Sequence, residues 1–235
     1  TVYRAQQISM DRAVALKVMR PEFASRPEFA QDFLREARLA GQLQHANIIG
    51  IHDFGESDGR IFFSMEFVDG DTLLDQIERQ GGLPPEEILR ISSLIAEALA
   101  HAHQHNILHQ DIKPDIVMIA RDGRVKLADL GLAKTMRYGL TPEDDKPLMG
   151  TPQYVAPEVV RRLPPDPRSD LFALGVLLFE ILGRSAVDAR TFYGRFPALS
   201  FFEALGFDPA QLPEWARDVV AALVARDPAQ RPLQE

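Results

Sequence analysis

The chain has 235 residues, of which 46% are hydrophobic and 26% charged, and these proportions are ordinary for a folded globular protein. Its formal net charge of −8 would repel nucleic acid and anionic membrane surfaces, so neither is predicted as a partner. The absence of cysteine excludes disulfides and thiolate metal sites, and no apolar run is long enough to cross a bilayer, so no membrane contact is predicted within this segment.

The first part of the chain is predicted to be mostly β-strand. Residues 1–19 are β-rich, with a clear strand at 13–19. A helix is predicted at 31–44, because its apolar residues recur at helical spacing. Two more strands, 47–54 and 60–67, are separated by a Glu-Ser-Asp-Gly turn.

Helices predominate after Asp69-Gly70-Asp71, so the chain is predicted to divide into residues 1–68 and 69–235 and to have an α+β fold. The elements expected in the second part are a long helix from Pro85 to His105 ended by Asn106, short strands within 107–133, a loop-like stretch at 134–168, an almost wholly apolar helix capped by Asp170, and a last amphipathic helix near Trp215–Val224.

Two charged residues lie in apolar surroundings in the first part. Lys17 lies inside an apolar strand, and Glu36 lies on a helix stripe with Ala40 and Leu43. Either charge would be costly to bury alone, whereas a buried pair would offset the loss of hydration and present the lysine to phosphates. Taken alone, the pattern favours the simpler alternative, in which each residue lies on a solvated edge.

Three motifs further along the chain reverse that preference. They are His109-Gln110-Asp111-Ile112-Lys113-Pro114 after the long helix, Asp129-Leu130-Gly131 after a strand, and Gly150 to Glu158, which reads Gly-Thr-Pro-Gln-Tyr-Val-Ala-Pro-Glu. With Lys17 and Glu36, this order resembles the signature of the protein kinases, and in particular the eukaryotic-like Ser/Thr kinases of bacteria. The resemblance covers essentially the whole chain and implies a bilobal fold with a small antiparallel β-sheet lobe and a larger helical lobe.

The resemblance also implies roles for individual residues. Lys17 would bind the α- and β-phosphates of ATP and Glu36 would hold it in place, while Asp129 would ligate Mg²⁺. Asp111 would accept or orient the proton of the substrate hydroxyl, and Lys113 would reach the γ-phosphate. The Ser/Thr type, rather than the Tyr type, is indicated by Lys113 together with Thr151.

An adenine site is implied in the same way. Met65 would limit the back of the pocket, and the backbones of Glu66 and Val68 would bond the adenine edge. The apolar roof and floor would come from Val2, Ala15 and Met118. Each of these apolar residues has a plain alternative as part of a hydrophobic core.

The sequence departs from the kinase pattern at three places. The Gly-rich loop that covers the phosphates would precede Thr1, since Val2 corresponds to the valine that ends that motif. Ile116 stands where the pattern has a metal-binding Asn, so one Mg²⁺ site lacks a ligand, and turnover is expected to fall by roughly two or more orders of magnitude. Gln110 replaces the usual arginine, which predicts little dependence on phosphorylation of the activation segment.

Two functions remain open at this stage. The first is a Ser/Thr protein kinase that uses ATP and Mg²⁺, weakened by Ile116; the second is a pseudokinase that binds nucleotide or partners and signals by contact. A protein substrate or signalling partner and a cytoplasmic location, within a larger or membrane-anchored protein, are expected in either case. Two structural contacts are also predicted, one between Glu158 and Arg231 and one between Asp170 and the backbone around His109.

Overall fold

A four-stranded antiparallel sheet with one helix against it forms the first part of the computed structural model. The structure describes residues 1–20, 27–130, 152–183 and 199–232, with the backbone alone at residues 27–29, 32, 35, 36 and 152. The strands are β1 (Val2–Gln7), β2 (Arg12–Val18), β3 (Ile51–Ser57) and β4 (Arg60–Glu66), in the order β1-β2-β4-β3. The helix α1 (Pro27–Ala40) places Phe33 and Ala37 in a small core with the sheet.

The second part is mainly helical and carries a small sheet of its own, in which β5, β6 and β7 pair in that order. Its elements are β5 (Gly70–Thr72), α2 (Leu73–Gln80), α3 (Pro85–Gln104), β6 (Val117–Ala120), β7 (Val125–Leu127), α4 (Pro157–Val160), α5 (Pro167–Gly183), α6 (Phe201–Leu205) and α7 (Glu214–Leu223). Within the described ranges, no helix is both long and apolar enough to span a membrane.

The helix α5 forms the centre of the helical lobe. Its side chains are buried nearly all round, including Phe172, Leu177 and Phe179, and α3 and α7 pack against it. This confirms the position predicted from its apolar sequence, because a helix without a polar face is stable only where it is covered on all sides. The predicted left-handed turn after α3 is also confirmed, since Asn106 has a φ of 58°.

Three predicted boundaries in the first part were wrong by several residues. The helix predicted at 31–44 begins at Pro27 and ends at Ala40, because Gly41, a poor helix former, follows it and residues 41–43 continue as turns. The strand predicted at 47–54 begins only at Ile51. Its first residues bond instead to β7: Ile49 donates to the Leu127 carbonyl, and the Leu127 N–H donates to the Asn47 carbonyl.

The prediction that Asp170 caps α5 was also wrong. The helix already begins at Pro167, and the carboxylate that accepts a backbone N–H there, from Arg168, belongs to Asp166. The stretch at 134–168, predicted to be loop-like, contains the short helix α4, and residues 134–151 lie outside the described part of the chain.

Both predicted structural contacts are confirmed. Arg231 donates two parallel hydrogen bonds to the Glu158 carboxylate, at 2.7 and 2.9 Å, and both side chains are buried. Asp170 accepts the backbone N–H of His109 at 2.8 Å and that of Gln110 at 2.6 Å. Asp170 therefore braces the loop that follows α3 from the central helix.

Candidate active site

One face of the four-stranded sheet carries several of the predicted nucleotide-binding residues. Val2 pairs across the strands with Lys17, Lys17 with Phe63, and Ala15 with Met65. Cross-strand partners point to the same face, and so do residues two apart on one strand, so these side chains form two adjacent rows. Ala15 and Met65 lie in or against the small core, while Val2 is about half exposed.

Residues from beyond β4 contact the same cluster. Val68, in the segment that links the two sheets, and Met118, in β6 of the helical lobe, both pack against the core that contains Met65. Ala15, Val68 and Met118 therefore surround a shared apolar region from both lobes. This arrangement is what an adenine ring would require, although packing of the core alone would also bring such side chains together.

Lys17 and Asp129 meet between the two lobes. The Lys17 Nζ lies 2.7 Å from the Asp129 Oδ1, although the two residues are 112 positions apart in the chain. Both side chains keep some exposure, 22% and 34%, so the pair lies at an opening and is not sealed in a core. The Glu36 side chain, predicted to hold Lys17, lies outside what the structure describes.

Asp111 and Lys113 form a second ion pair on the loop after α3, with 3.1 Å between the Lys113 Nζ and the Asp111 Oδ2. The carboxylates of Asp111 and Asp129 are both close enough to the imidazole of His109 to act on its pKa. The two predicted acidic site residues therefore share one neighbourhood. Thr151, the third predicted catalytic residue, lies outside the described residues.

His109 holds this loop against the strand end that carries Asp129. Its Nε2 lies 2.9 Å from the Ala128 carbonyl, which can only accept, so Nε2 carries the proton. Its Nδ1 is then free to accept the N–H of Asp111, at 3.3 Å. Burial lowers the pKa of His109 and outweighs the opposing effect of Asp170, which fits a neutral ring with this tautomer.

Asp170 stays ionised in spite of complete burial. Burial alone would raise its pKa, but hydrogen bonding to His103 and the backbone N–H of His109 hold the pKa below its usual value. The His103 Nε2 lies 2.8 Å from the Asp170 Oδ2. A buried carboxylate with this set of donors rigidly positions the loop that precedes Asp111.

Ile116 and Gln110, where the sequence departs from the kinase pattern, have different surroundings. Ile116 is 6% exposed and belongs to the main hydrophobic core, and its carbonyl accepts the N–H of Ala128 beside Asp129. It offers no side-chain oxygen near that carboxylate. Gln110 adopts a left-handed φ of 64°, and its side-chain Oε1 is buried without a hydrogen-bond partner in the described part of the chain.

A metal site made only of protein groups is not present in the described ranges, where no three His, Asp or Glu residues are grouped to hold an ion. This does not conflict with the predicted cofactor, because Mg²⁺ is commonly bound by one or two carboxylates together with substrate phosphates. The carboxylate of Asp129 beside the ammonium of Lys17 is a donor set that fits a magnesium nucleotide.

Sequence reasoning missed Lys126, which is 8% exposed in β7. Its Nζ lies 2.7 Å from the Glu66 Oε2 and 3.4 Å from the Ile48 carbonyl. The signal was present, because Lys126 stands between Val125 and Leu127 in a strand, the same kind of position that drew attention to Lys17.

The family of the chain follows from comparison with known proteins. The sequence profile of the protein kinase domain matches residues 1–234. The chain belongs to this family. This kinase domain is 37% identical over 236 residues to the serine/threonine-protein kinase PrkC of Bacillus subtilis, an alignment that covers 98% of the chain and 36% of PrkC.

Other bacterial kinases are similar to a comparable degree. The kinase domain is 33% identical to the serine/threonine-protein kinase PknL of Mycobacterium tuberculosis, with 98% of the chain and 58% of PknL covered. A crystal structure of a mutant kinase domain of M. tuberculosis PknI matches with a TM-score of 0.74 and 30% identity over 98% of the chain and 83% of that structure. The chain thus spans about a third of the length of PrkC and three fifths of that of PknL. The predicted fold of a eukaryotic-like bacterial kinase is confirmed.

Proposed function

We propose that this domain transfers the γ-phosphoryl group of ATP to Ser or Thr hydroxyls of proteins, with Mg²⁺ as the metal. The contact between Lys17 and Asp129 carries the proposal, since it joins a phosphate-binding cation and a metal-binding carboxylate from different lobes at 2.7 Å. Phosphoryl transfer depends almost wholly on positioning and on charge stabilisation, and these are the groups that such chemistry needs.

Lys17 would bind the α- and β-phosphates, and Asp129 would ligate Mg²⁺, which when bound neutralises charge on the phosphates. Asp111 would hold the proton of the substrate hydroxyl, because its carboxylate lies on a loop fixed by His109 and Asp170. Lys113, already 3.1 Å from that carboxylate, would contact the transferred group. Glu36 would orient Lys17, and Thr151 would lie beside the substrate.

Adenine would lie between the lobes, with Ala15 and Val2 on one side and Met118 on the other. Met65 would limit its depth. The N–H of Glu66 donates to the Gly50 carbonyl at 2.9 Å, so we assign the Glu66 carbonyl and the backbone of Val68 to the adenine edge. The partly buried packing of Ala15, Val68 and Met118 against one core supports this placement.

A second function, that of a pseudokinase, is favoured by one observation. Ile116 is buried in the main core at the position where the kinase pattern has a metal-binding amide. If the remaining groups cannot compensate for that ligand, the domain would bind nucleotide or partners and signal by contact without catalysis. In both cases we propose a protein as partner or substrate and a cytoplasmic location within a larger protein.

A phosphotransfer assay with radiolabelled ATP and Mg²⁺ separates the two functions. The wild-type domain is compared with Asp111→Asn, with Ile116→Asn, and with Arg121→Met as a control at a side chain that is 80% exposed. For an active kinase we expect turnover in the wild type and in the control, and a loss of roughly two or more orders of magnitude in Asp111→Asn.

The pseudokinase is supported instead if the wild type is silent and Ile116→Asn becomes active. Because an amide buried in that core costs about 1–3 kcal/mol, the folded fraction of the variant is measured by circular dichroism in the same buffer. Thermal shifts with ATP, with and without Mg²⁺, complete the test. If ATP shifts the melting temperature in neither condition and no variant transfers phosphate, the kinase and the nucleotide-binding pseudokinase are both wrong.

A further inference from the structure

Lys126 joins three parts of the molecule that are distant in sequence. It lies in β7, which leads to Asp129 two residues beyond the end of the strand. Its Nζ donates to the Glu66 carboxylate at 2.7 Å and to the Ile48 carbonyl at 3.4 Å. A buried ammonium is stable only where such partners replace its water, so both contacts hold Lys126 in place.

Glu66 is the last residue of β4, where the chain leaves the four-stranded sheet for the helical lobe. Its carboxylate has a second, weaker partner in Arg124, at 3.7 Å, whose side chain is 61% exposed and therefore well screened by solvent. Lys126, with a side chain only 10% exposed, is the desolvated partner. Of the two described cations that contact the Glu66 carboxylate, the desolvated one therefore comes from β7 and ties this strand end to the helical lobe.

The segment 47–49 is the third part. It precedes β3 of the four-stranded sheet, yet two of its backbone groups bond to β7: the Leu127 N–H donates to the Asn47 carbonyl at 2.8 Å, and the Ile49 N–H donates to the Leu127 carbonyl at 3.0 Å. The Asn47 side chain also donates to the Val125 carbonyl at 2.9 Å. We call Lys126, Glu66 and residues 47–49 the interlobe clip.

We propose that Lys126 is a positioning residue for the nucleotide, because the clip fixes the adenine-binding backbone at Glu66 relative to the metal-binding Asp129. The inference rests on the function proposed above. A nucleotide is bound at its base by one element and at its phosphates by another, so its affinity depends on the distance between them. A misplacement of about 1 Å can reduce a reaction rate by roughly a hundredfold, and binding at two linked sites is also sensitive to their spacing.

The clip predicts which end of the nucleotide is affected. Adenosine would touch only the base site, whereas ATP with Mg²⁺ would touch the base site and Asp129 together. Lys126→Met keeps most of the length of the side chain and removes its charge, so that among the described side chains the Glu66 carboxylate keeps the screened ion pair with Arg124. We expect ATP·Mg²⁺ binding to weaken roughly tenfold and adenosine binding to change by less than about threefold.

The experiment is calorimetric titration of the wild type, Lys126→Met, Lys126→Arg and Arg121→Met with ATP·Mg²⁺ and with adenosine. Lys126→Arg keeps a cation that can reach both Glu66 and the Ile48 carbonyl and should stay within about threefold of the wild type for both ligands. Arg121→Met removes an exposed cation from the turn next to β7 and should change neither. Each titration is made below the melting temperature of that variant.

Glu66→Gln tests the same contact from its other side and replaces Lys126→Met if that variant does not fold. The proposal is overturned if the wild type binds ATP·Mg²⁺ and the tested clip variant binds it equally well. It is also overturned if ATP·Mg²⁺ and adenosine weaken by the same factor, since Lys126 would then merely support the base site. A wild type that binds neither ligand overturns the proposed function together with the clip.

Discussion

Replacing Arg231 with methionine removes one partner of a deeply buried ion pair between an arginine and a glutamate. The Arg231 side chain is fully buried, that of Glu158 is 7% exposed, and two parallel hydrogen bonds join them. Arg231 also donates to the carbonyls of Ala225 and Arg168, and its guanidinium lies 5.0 Å from the centre of the Phe172 ring. Methionine retains some packing against that ring but none of the hydrogen bonds.

The cost follows from what the variant leaves behind. Among the described side chains, the Ser169 hydroxyl at 2.7 Å would remain as the donor to a Glu158 carboxylate that is removed from water. Breaking a buried pair in this way costs about 3–5 kcal/mol of the free energy of unfolding. For a chain of this size 1 kcal/mol corresponds to roughly 2–4 °C, so the melting temperature should fall by about 6–20 °C.

Urea-induced unfolding followed by circular dichroism measures this loss. The matched control is Arg79→Met, which breaks an ion pair with Asp71 whose side chains are 58% and 44% exposed and which should cost less than about 1 kcal/mol. The double variant Arg231→Met/Glu158→Gln should be more stable than Arg231→Met, because it no longer buries an unpaired charge. The reasoning is refuted if Arg231→Met costs no more than the control, or if Glu158→Gln gives no recovery.

Two further outcomes are expected from the fold and the catalytic loop. Gly70→Ala would place its Cβ 2.1 Å from the Ile119 carbonyl oxygen, so we expect the free energy of unfolding in urea to fall by about 1–3 kcal/mol. The control Gly50→Ala, whose Cβ would have nothing within 4 Å, should be nearly neutral. Equal effects of the two variants would contradict the packing around Gly70. Burial lowers the pKa of His109, so below pH 6.5 the unfolded chain binds a proton that the folded domain does not. The free energy of unfolding should therefore be highest above that pH and should fall below it by up to about 1.4 kcal/mol per pH unit. His109→Gln should flatten this decline in urea titrations at pH 5.5 and 7.5, and an unchanged decline would show that other groups cause it.

Local sequence patterns were sufficient where an element is specified by its own residues. The apolar circumference of α5 predicted its central position, and the left-handed turn at Asn106 was predicted at the end of α3. The contact between Glu158 and Arg231 was also predicted, but from the kinase resemblance, since nothing in the spacing of residues 73 positions apart indicates that they meet.

Patterns failed where a distant segment competes for the backbone. Residues 47–49 have the composition of a strand, and the prediction joined them to the strand that follows. The Asn47 carbonyl and the Ile49 N–H bond instead to Leu127, nearly 80 positions away, and β3 starts only at Ile51. The predicted cap of α5 was wrong for a related reason. Asp170 has the right residue type for a cap, but its carboxylate accepts the backbone N–H groups of His109 and Gln110.

Lys17 and Lys126 show what limits the prediction of a site. Each is a lysine within a strand of apolar residues, and each is stabilised by a carboxylate from a different element: Asp129, 112 positions away, and Glu66, 60 positions away. The burial cost of a lone charge indicates that each lysine needs a partner, but it does not identify that partner. The apolar surroundings of Lys17 drew attention to it and the kinase signature then decided its role, whereas Lys126 meets the same physical criterion outside that signature. A buried lysine in an apolar strand is therefore a reason to look for a distant carboxylate whether or not a family motif includes the lysine.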